Sequence, residues 1–311
     1  MSHFLRQLIG LWSIALFVGC TQVAIVPPEV VNINGVQVLD GPGTATLLTT
    51  LYERRFPNCY SSDSQPSFLC SGVTLRVTVK DPAEQYKVWD PSPTSITSGG
   101  VSFSYLRADA NFGRLAWGHG NGYILYPIFG APVDKIDLDY LCSYPMDAWS
   151  WYRTPPCGAS GEYPALSRPC HVAGVTTAQQ WLGVWTMPGG NPYLRQCGFD
   201  VNDDRNQLAG PAFYQSLLSK GLVGARGFDE HNEIIIKTWT PGRPNTFPIM
   251  AFFFVAGGTN AGLADARYNQ RDFYNSTNPK IVVPIIRLTP ANSAAESATF
   301  SYVAADQAVT Q

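Results

Sequence analysis

Apolar and polar positions alternate with period two over 73–79, where Val73, Leu75, Val77 and Val79 interleave with Thr74, Arg76 and Thr78. That is the pattern of a half-buried strand. Upstream, 44–55 carries Leu47, Leu48, Leu51 and Tyr52 at helical spacing and ends on Glu53, Arg54 and Arg55, which predicts an amphipathic helix. The segment 101–109 reads as a strand bearing one Arg and one Asp, and 123–129 and 136–144 read as short extended elements. Thr176 and Thr177 can cap a helix through Trp185, with Ala178, Trp181, Leu182 and Trp185 on one side. A second capped helix is expected over 200–220, its apolar face formed by Leu208, Phe213, Leu217 and Leu218. The last third is strand-rich, at 234–239, 247–255 and 281–288, and an Ala/Ser-rich tail over 291–311 holds a final strand near 300–303 followed by disorder. Helices and strands mix without regular βαβ alternation. The expected class is α+β: one mixed domain over 43–290 with a central antiparallel-rich sheet, several helices and disulfide-bounded loops.

The first 42 residues follow another pattern. A short positive stretch over 1–6 precedes an apolar run over 8–18 that is too short to span a bilayer, as in a secretory signal. It ends in Leu16-Phe17-Val18-Gly19-Cys20, which resembles the bacterial lipobox. The resemblance implies a signal peptide over 1–19, a lipidated Cys20, and the outer membrane as destination, since Thr21 is not the Asp that favours inner-membrane retention. An ordinary signal cleaved after Ala24, giving a secreted protein, is the alternative. Residues 25–42 are apolar but punctuated, and read as an extended tether, so that 20–42 forms a lipidated N-terminus and linker.

Composition narrows the function classes. Of 311 residues, 14% are charged and 13% aromatic, with a net charge of -2 and a pI near 6.1, so there is no basic field to attract nucleic acid. With Cys20 given to lipid, Cys59, Cys70, Cys142, Cys157, Cys170 and Cys197 remain. An even count in an exported chain reads as three disulfides, for which about fifteen connectivities exist. Local loop closure favours Cys59 with Cys70 and Cys157 with Cys170, which leaves Cys142 for Cys197. Zinc is the competing use, but there is no C-x-x-C pair and only His171 lies directly beside a cysteine. No metal and no resident cofactor is expected.

Candidate chemistry is densest over 89–127, where a Pro/Ser/Gly run after Trp89 leads into the segment holding Tyr105, Arg107 and Asp109, and then into a glycine-rich loop with Trp117 and His119. On a strand, Arg107 and Asp109 face the same way, so Arg107 can grip an anion while Asp109 orients it; a structural salt bridge is the other reading. His119, between Gly118 and Gly120, also fits a plain turn. A second patch, 228–233, places Glu230, His231 and Glu233 at the mouth of an apolar strand, where a carboxylate can stabilise a developing cation or act as a base. A third, 268–274, mixes Gln270 and Asp272 with aromatics after a glycine-rich loop. There is no nucleophile elbow, P-loop or dinucleotide fingerprint. Asp200-Val201-Asn202-Asp203-Asp204 opens like a calcium loop, but Arg205 replaces the required Gly and Pro211 the bidentate Glu, so helix capping fits better.

The segments 89–93, 100–109, 196–200 and 268–274 resemble the halovibrin-like bacterial secreted proteins, over a stretch from about Leu51 to Leu288. Similar segments occur at the ends of surface proteins with immunoglobulin-like repeats. The resemblance implies ADP-ribosyl transfer or NAD glycohydrolysis, with NAD as substrate rather than cofactor. That superfamily uses an Arg on an early strand, a Ser/Thr motif on a middle strand and a Glu before or on a later one. Arg107 and Glu233 match the first and last as the catalytic pair, with Trp89, Tyr105, Asp109, Trp117, His119, Gln270 and Asp272 as substrate-binding candidates. The middle motif departs, because 94–98 precedes Arg107 and Thr176-Thr177 reads as helical. A non-enzymatic adhesion or glycan-binding module, whose partner is a host surface component, is the alternative function.

Overall fold

A computed structural model describes residues 29–53, 71–78, 91–97, 99–116, 120–126, 139–149, 153, 157, 169–200, 209–237, 249–258 and 260–309. The signal segment with Cys20, the Cys59 and Cys70 pair, Trp89, Trp117 and His119 lie outside the described residues.

The chain starts with a hairpin of β1 (Val30–Ile33) and β2 (Val36–Leu39), then α1 (Gly41–Glu53) and β3 (Val73–Val77). Next come α2 (Pro93–Thr97), β4 (Val101–Leu106), β5 (Asn121–Leu125) and β6 (Asp139–Tyr144). The helical section comprises α3 (Ala178–Thr186), α4 (Pro192–Arg195), α5 (Ala209–Leu218), a 3-10 turn over Ser219–Val223, and α6 (Ala225–Asp229). The chain then runs through β7 (Glu233–Lys237), β8 (Ile249–Val255), α7 (Asn260–Ser276), β9 (Ile281–Val282), β10 (Ile285–Thr289) and β11 (Thr299–Tyr302). The fold is α+β, as the residue patterns predict.

One eight-stranded sheet, ordered β11-β10-β8-β5-β3-β4-β7-β6, forms the body, and β1-β2-β9 form a small second sheet. Within the large sheet only β8 and β10 run parallel, joined by α7 in a crossover of the kind that parallel neighbours require. Both sheet faces are covered near the centre. Phe252 meets Phe273 of α7 on one face. Phe300 pairs with Leu288, whose side falls opposite to that of Ile285 and Phe252, and meets Tyr52 of α1. This explains why β8 is an unbroken apolar run rather than an alternating one.

Four expectations need correction. The 25–42 stretch is no extended tether where described: Asn34 (φ 50°) and Gly35 (φ 83°) make the left-handed turn of the β1–β2 hairpin, with the Asn32 side chain accepting the Gly35 N–H. The third patch, whose other reading is a polar loop packed by its aromatics, is part of α7. After β11 the chain is ordered through 309: Asp306 pairs with Arg287, and Gln307 bonds to Ile285 in both directions. Among the described residues the disulfides join Cys142 to Cys157 and Cys170 to Cys197, in place of the expected Cys157–Cys170 and Cys142–Cys197 pairs. The Ser143–Phe199 bridge brings the Cys197 segment alongside β6, so tertiary pairing, not loop length, selects partners. Two disulfides are consistent with an exported protein. No helix among the described residues is long and apolar enough to cross a membrane.

Candidate functional site

Arg107 leaves the end of β4 and is 2% exposed. Its Nε lies 2.7 Å from Asp109 Oδ1, one Nη donates to Asp109 Oδ2 at 3.0 Å and the other to Ser71 Oγ at 2.6 Å. The Tyr214 hydroxyl donates to Asp109 Oδ2 at 2.6 Å, and its ring lies 4.9 Å beneath the guanidinium carbon. The fork is closed by partners from the β3 start, the β4 end and α5. This is the geometry of the structural ion pair, not of an open anion grip. Tyr105 is fully buried beside it, donating to Ser71 O, and its own backbone N–H and C=O are both taken by the Asn232 side chain.

Glu233 sits in a different cluster. In the β4–β7 register Phe103 opposes Ile234, so one step on Glu233 opposes Ser104 and points away from the Phe103 and Tyr105 side. On that face it stands with Ile235, Cys142 and Tyr144 of β7 and β6. Glu233 is 3% exposed, and Oε2 accepts the Ala148 N–H at 2.9 Å. The structure therefore does not bring Arg107 and Glu233 together.

Instead it gathers groups around the chain that enters β7 and the segment after β6. Asp147 Oδ1 accepts the Trp149 N–H at 3.0 Å, and its Oδ2 lies 3.9 Å from His231 Nε2. Glu230 Oε1 accepts the Tyr193 hydroxyl at 2.9 Å. The Tyr193 ring is stacked on Trp149, with centroids 5.5 Å apart and planes 2° from parallel, and its edge meets Trp185. Trp149 holds φ at +51°, a left-handed conformation that a bulky residue adopts only when its surroundings impose it. Asn191 caps α4 through the Tyr193 N–H, which fixes where that ring leaves the helix. Buried Lys220 donates from Nζ to Glu230 O at 2.6 Å. Trp149, Tyr193, Asp147 and Glu230 are half-buried, while His231, Lys220 and Glu233 lie behind them.

Burial sets the electrostatics. It pushes the Lys220 amine down to about 7, against the Glu230 charge. It pulls His231 down to about 4, with the Lys220 charge adding and Glu233 opposing. At neutral pH the imidazole is uncharged, so its approach to Asp147 is not an ion pair. Burial, assisted by Glu230, holds the Asp147 carboxyl above the usual carboxylate range despite the Trp149 N–H that favours its anion. Burial and the bond to Glu230 push the Tyr193 phenol up to about 12. Buried tyrosines are shifted elsewhere in the fold too, but here a carboxyl, an amine and an imidazole displaced by burial meet in one partly open cluster, which makes it a candidate for functional chemistry. The cluster offers a flat aromatic platform, an acid with a raised pKa, and further carboxyl groups next to both.

The remaining predicted residues fall elsewhere. Gln270 is buried on α7 and uses its amide on Val283 O, Gln307 and the Ala308 and Val309 N–H groups, so it staples the C-terminal segment. Asp272 is a half-buried residue of the same helix. The sequence puts Glu230 in the second patch, with a solvated turn as its other reading, and Asp147 and Trp149 at the opening of a cysteine-bounded loop, while Lys220 and Tyr193 carry no signal of a site. The one available signal was the coincidence of Trp, Tyr and carboxylates flanking bridged cysteines. A separate cleft of about 570 Å³, lined by Val31, Ile33, Val38, Val282 and Tyr302 among others, lies by β11, at the other end of the large sheet. Among the described residues, no group of three His, Cys, Asp or Glu side chains could hold a metal ion. Comparison with protein-family models, with curated proteins and with solved structures finds no match for this chain.

Proposed function

We propose that the chain is an exported enzyme, held at the membrane by lipid on Cys20, that cleaves the bond between nicotinamide and ribose in NAD. The observation that carries this reading is the stacked Trp149–Tyr193 pair placed directly against Asp147 and Glu230 with Glu233 behind. The nicotinamide ring packs against the stacked Trp149 and Tyr193 rings. As the C–N bond breaks, nicotinamide leaves as a neutral base and positive charge develops on the ribosyl carbon. Glu230, at the surface of the cluster, faces that charge, and Glu233 adds negative field from the buried side. Water then adds to the ribosyl carbon and gives its proton to a carboxylate of the cluster, which yields ADP-ribose. Arg226, exposed on α6 and close enough to favour the Tyr193 phenolate, takes the diphosphate-binding part that Arg107 is too enclosed to play.

The test is incubation of the purified, oxidised body from residue 21 onward with NAD, following nicotinamide by chromatography. The expected result is release by the parent and at least a hundredfold loss in Glu230→Gln and Glu233→Gln, as for removal of a group that stabilises transition-state charge. No release from a folded, oxidised parent moves the assignment to the second reading, which the same ring platform favours. In that reading the chain is a non-catalytic surface module that stacks a glycan on Trp149. Binding would then survive both Gln variants and fail in Trp149→Ala.

A further inference from the structure

The small sheet carries two carboxylates with no cation to meet them. In the β1–β2 register Val30 faces Leu39 and Val31 faces Val38, and the Asp40 N–H donates to Glu29 O at 3.0 Å, so Glu29 and Asp40 stand opposite each other at the open end of the hairpin. Alternation puts them on the same face as Val31, Ile33 and Val38. That face walls the cleft of about 570 Å³, and all five residues line it. Like charges directly opposed across a strand pair destabilise it. None of the described residues lining the cleft is Lys, Arg or His. The cations of the flanking segments are engaged elsewhere: Lys280 donates to Asn275 O, Arg267 to Asp306 O and Ala305 O, and Arg287 to the Asp306 carboxylate.

The rest of the cleft is mostly apolar, with Val282, Pro284 and Val309 completing its lining. Gln307 also lines it, but its amide is spent on Gln270, Ile285 and Val303. Tyr302 packs so closely on Gly41 that a Cβ there would collide with its ring, which sets the aromatic face beside the first turn of α1 and next to Asp40. Asp40 is itself fixed by capping that turn, its Oδ2 accepting the Gly43 N–H at 3.0 Å. Val31 and Ile33 stay 42% and 37% exposed, so apolar surface beside the carboxylates is still open to water. The volume suits a small organic molecule. A bare hard cation would call for about six or more oxygen ligands, which two carboxylates on apolar walls do not supply.

We propose that this cleft binds a small amphiphilic cation, an amine or quaternary ammonium carried on an apolar chain or ring. The cationic head sits between Glu29 and Asp40 beside Tyr302, and the apolar part lies along Val31, Ile33 and Val38. The head relieves the repulsion between the two carboxylates, and the Tyr302 ring offers it a π face. The apolar part takes the exposed valine and isoleucine surface out of water. The cleft lies at the opposite end of the large sheet from the Trp149 cluster, and its ligand does not depend on the function proposed for that cluster.

Calorimetric titration of the purified, oxidised chain with octyltrimethylammonium, kept below its micelle concentration, decides it, with octanol, octanoate, tetramethylammonium and calcium as comparison ligands. Saturable one-to-one binding of octyltrimethylammonium is expected, at least tenfold tighter than that of any of the four others. Glu29→Gln/Asp40→Asn should weaken it at least tenfold while the fold persists, because Asn caps a helix about as well as Asp. Val31→Lys, a change at an exposed edge position, sets an ammonium on the same face two residues from Glu29 and should abolish binding. The ligand should raise the thermal unfolding midpoint of the parent and leave that of the double variant unmoved. Octanol binding as tightly would make the cleft a plain apolar groove, and tetramethylammonium or calcium binding as tightly would make it a bare cation site; each overturns the proposal. So does unchanged affinity in either variant, or the lack of saturable binding by the parent.

Discussion

Glu233 Oε2 accepts the Ala148 N–H at 2.9 Å, and this one bond ties the first residue of β7 to the segment that presents Asp147 and Trp149. Both partners are buried. Glu233→Ala therefore leaves a buried donor unpaired and should lower stability by about 1–3 kcal/mol. Glu233→Gln keeps an acceptor and should stay within about 1 kcal/mol of the parent. Urea unfolding separates the two, and a Gln variant that unfolds like the Ala variant would show that the charge, not the bond, holds the segment.

Arg107 is expected to matter for stability rather than for chemistry. Removing one member of a buried, hydrogen-bonded ion pair costs about 3–5 kcal/mol, so Arg107→Ala should lower the unfolding midpoint sharply. Tyr214→Phe removes only the hydroxyl that supports Asp109 and should cost about 1 kcal/mol. Nicotinamide release per folded molecule should be retained in Tyr214→Phe. A Tyr214→Phe protein with normal stability and no turnover would return the Arg107 cluster to the active site.

Trp149 combines a ring stack with a strained backbone. Trp149→Ala loses the stack and keeps the left-handed φ, whereas Trp149→Gly loses the stack and removes the steric penalty. The Gly variant should be the more stable of the two by about 1 kcal/mol, and both should fail to bind ligand. Thermal unfolding measures the order; an Ala variant at least as stable as Gly would mean that the backbone relaxes once the ring is gone.

His231 and Lys220 give stability a pH dependence of known sign. Folded His231 titrates near 4 instead of 6.5, so between pH 6.5 and 4 the unfolded chain takes up a proton that the folded chain refuses. Stability should fall across that window as pH drops, and His231→Gln should flatten the fall. Folded Lys220 titrates near 7 instead of 10.5, so stability should rise from pH 7 towards 10, and Lys220→Met should remove the rise. From about pH 10 the trend reverses, because Tyr105, Tyr144 and Tyr193 are pushed up to about 12 by burial and ionise first in the unfolded chain. Asp147 works against the acid limb: its raised folded pKa adds stability at low pH that is lost as pH rises through it, and Asp147→Asn should remove that part. Urea midpoints measured against pH report all of these terms.

Periodic segments were legible and aperiodic ones were not. The alternation over 73–79 became β3, and Thr177 caps α3 through a full capping box with Gln180, because such signals need only a few neighbouring residues. The helix α7 was missed although Leu263, Ala266, Gln270 and Phe273 keep helical spacing, because polar Asn269 and Gln270 occupy its buried face. Asn269 donates to Asn121 and Gln270 bonds to the C-terminal segment, groups distant in sequence that no local pattern announces. The β1–β2 hairpin carries its Asn34-Gly35 turn signal in plain view, hidden by reading the punctuated apolar stretch as an extended tether.

The residue pattern alone determined the α+β class, the capped helix α3, most strands, and the availability of cysteines for cross-linking, since period, capping and composition act over a few residues or over none in particular. Tertiary structure decided which described cysteines pair, that Arg107 is enclosed by Asp109, Ser71 and Tyr214, and that Glu233 instead bonds to Ala148, between Asp147 and Trp149. Each of those relations joins segments tens of residues apart, and the face on which a strand residue emerges depends on register with its neighbours. Register is settled by burying the whole core at once, so the site it builds cannot be read one segment at a time.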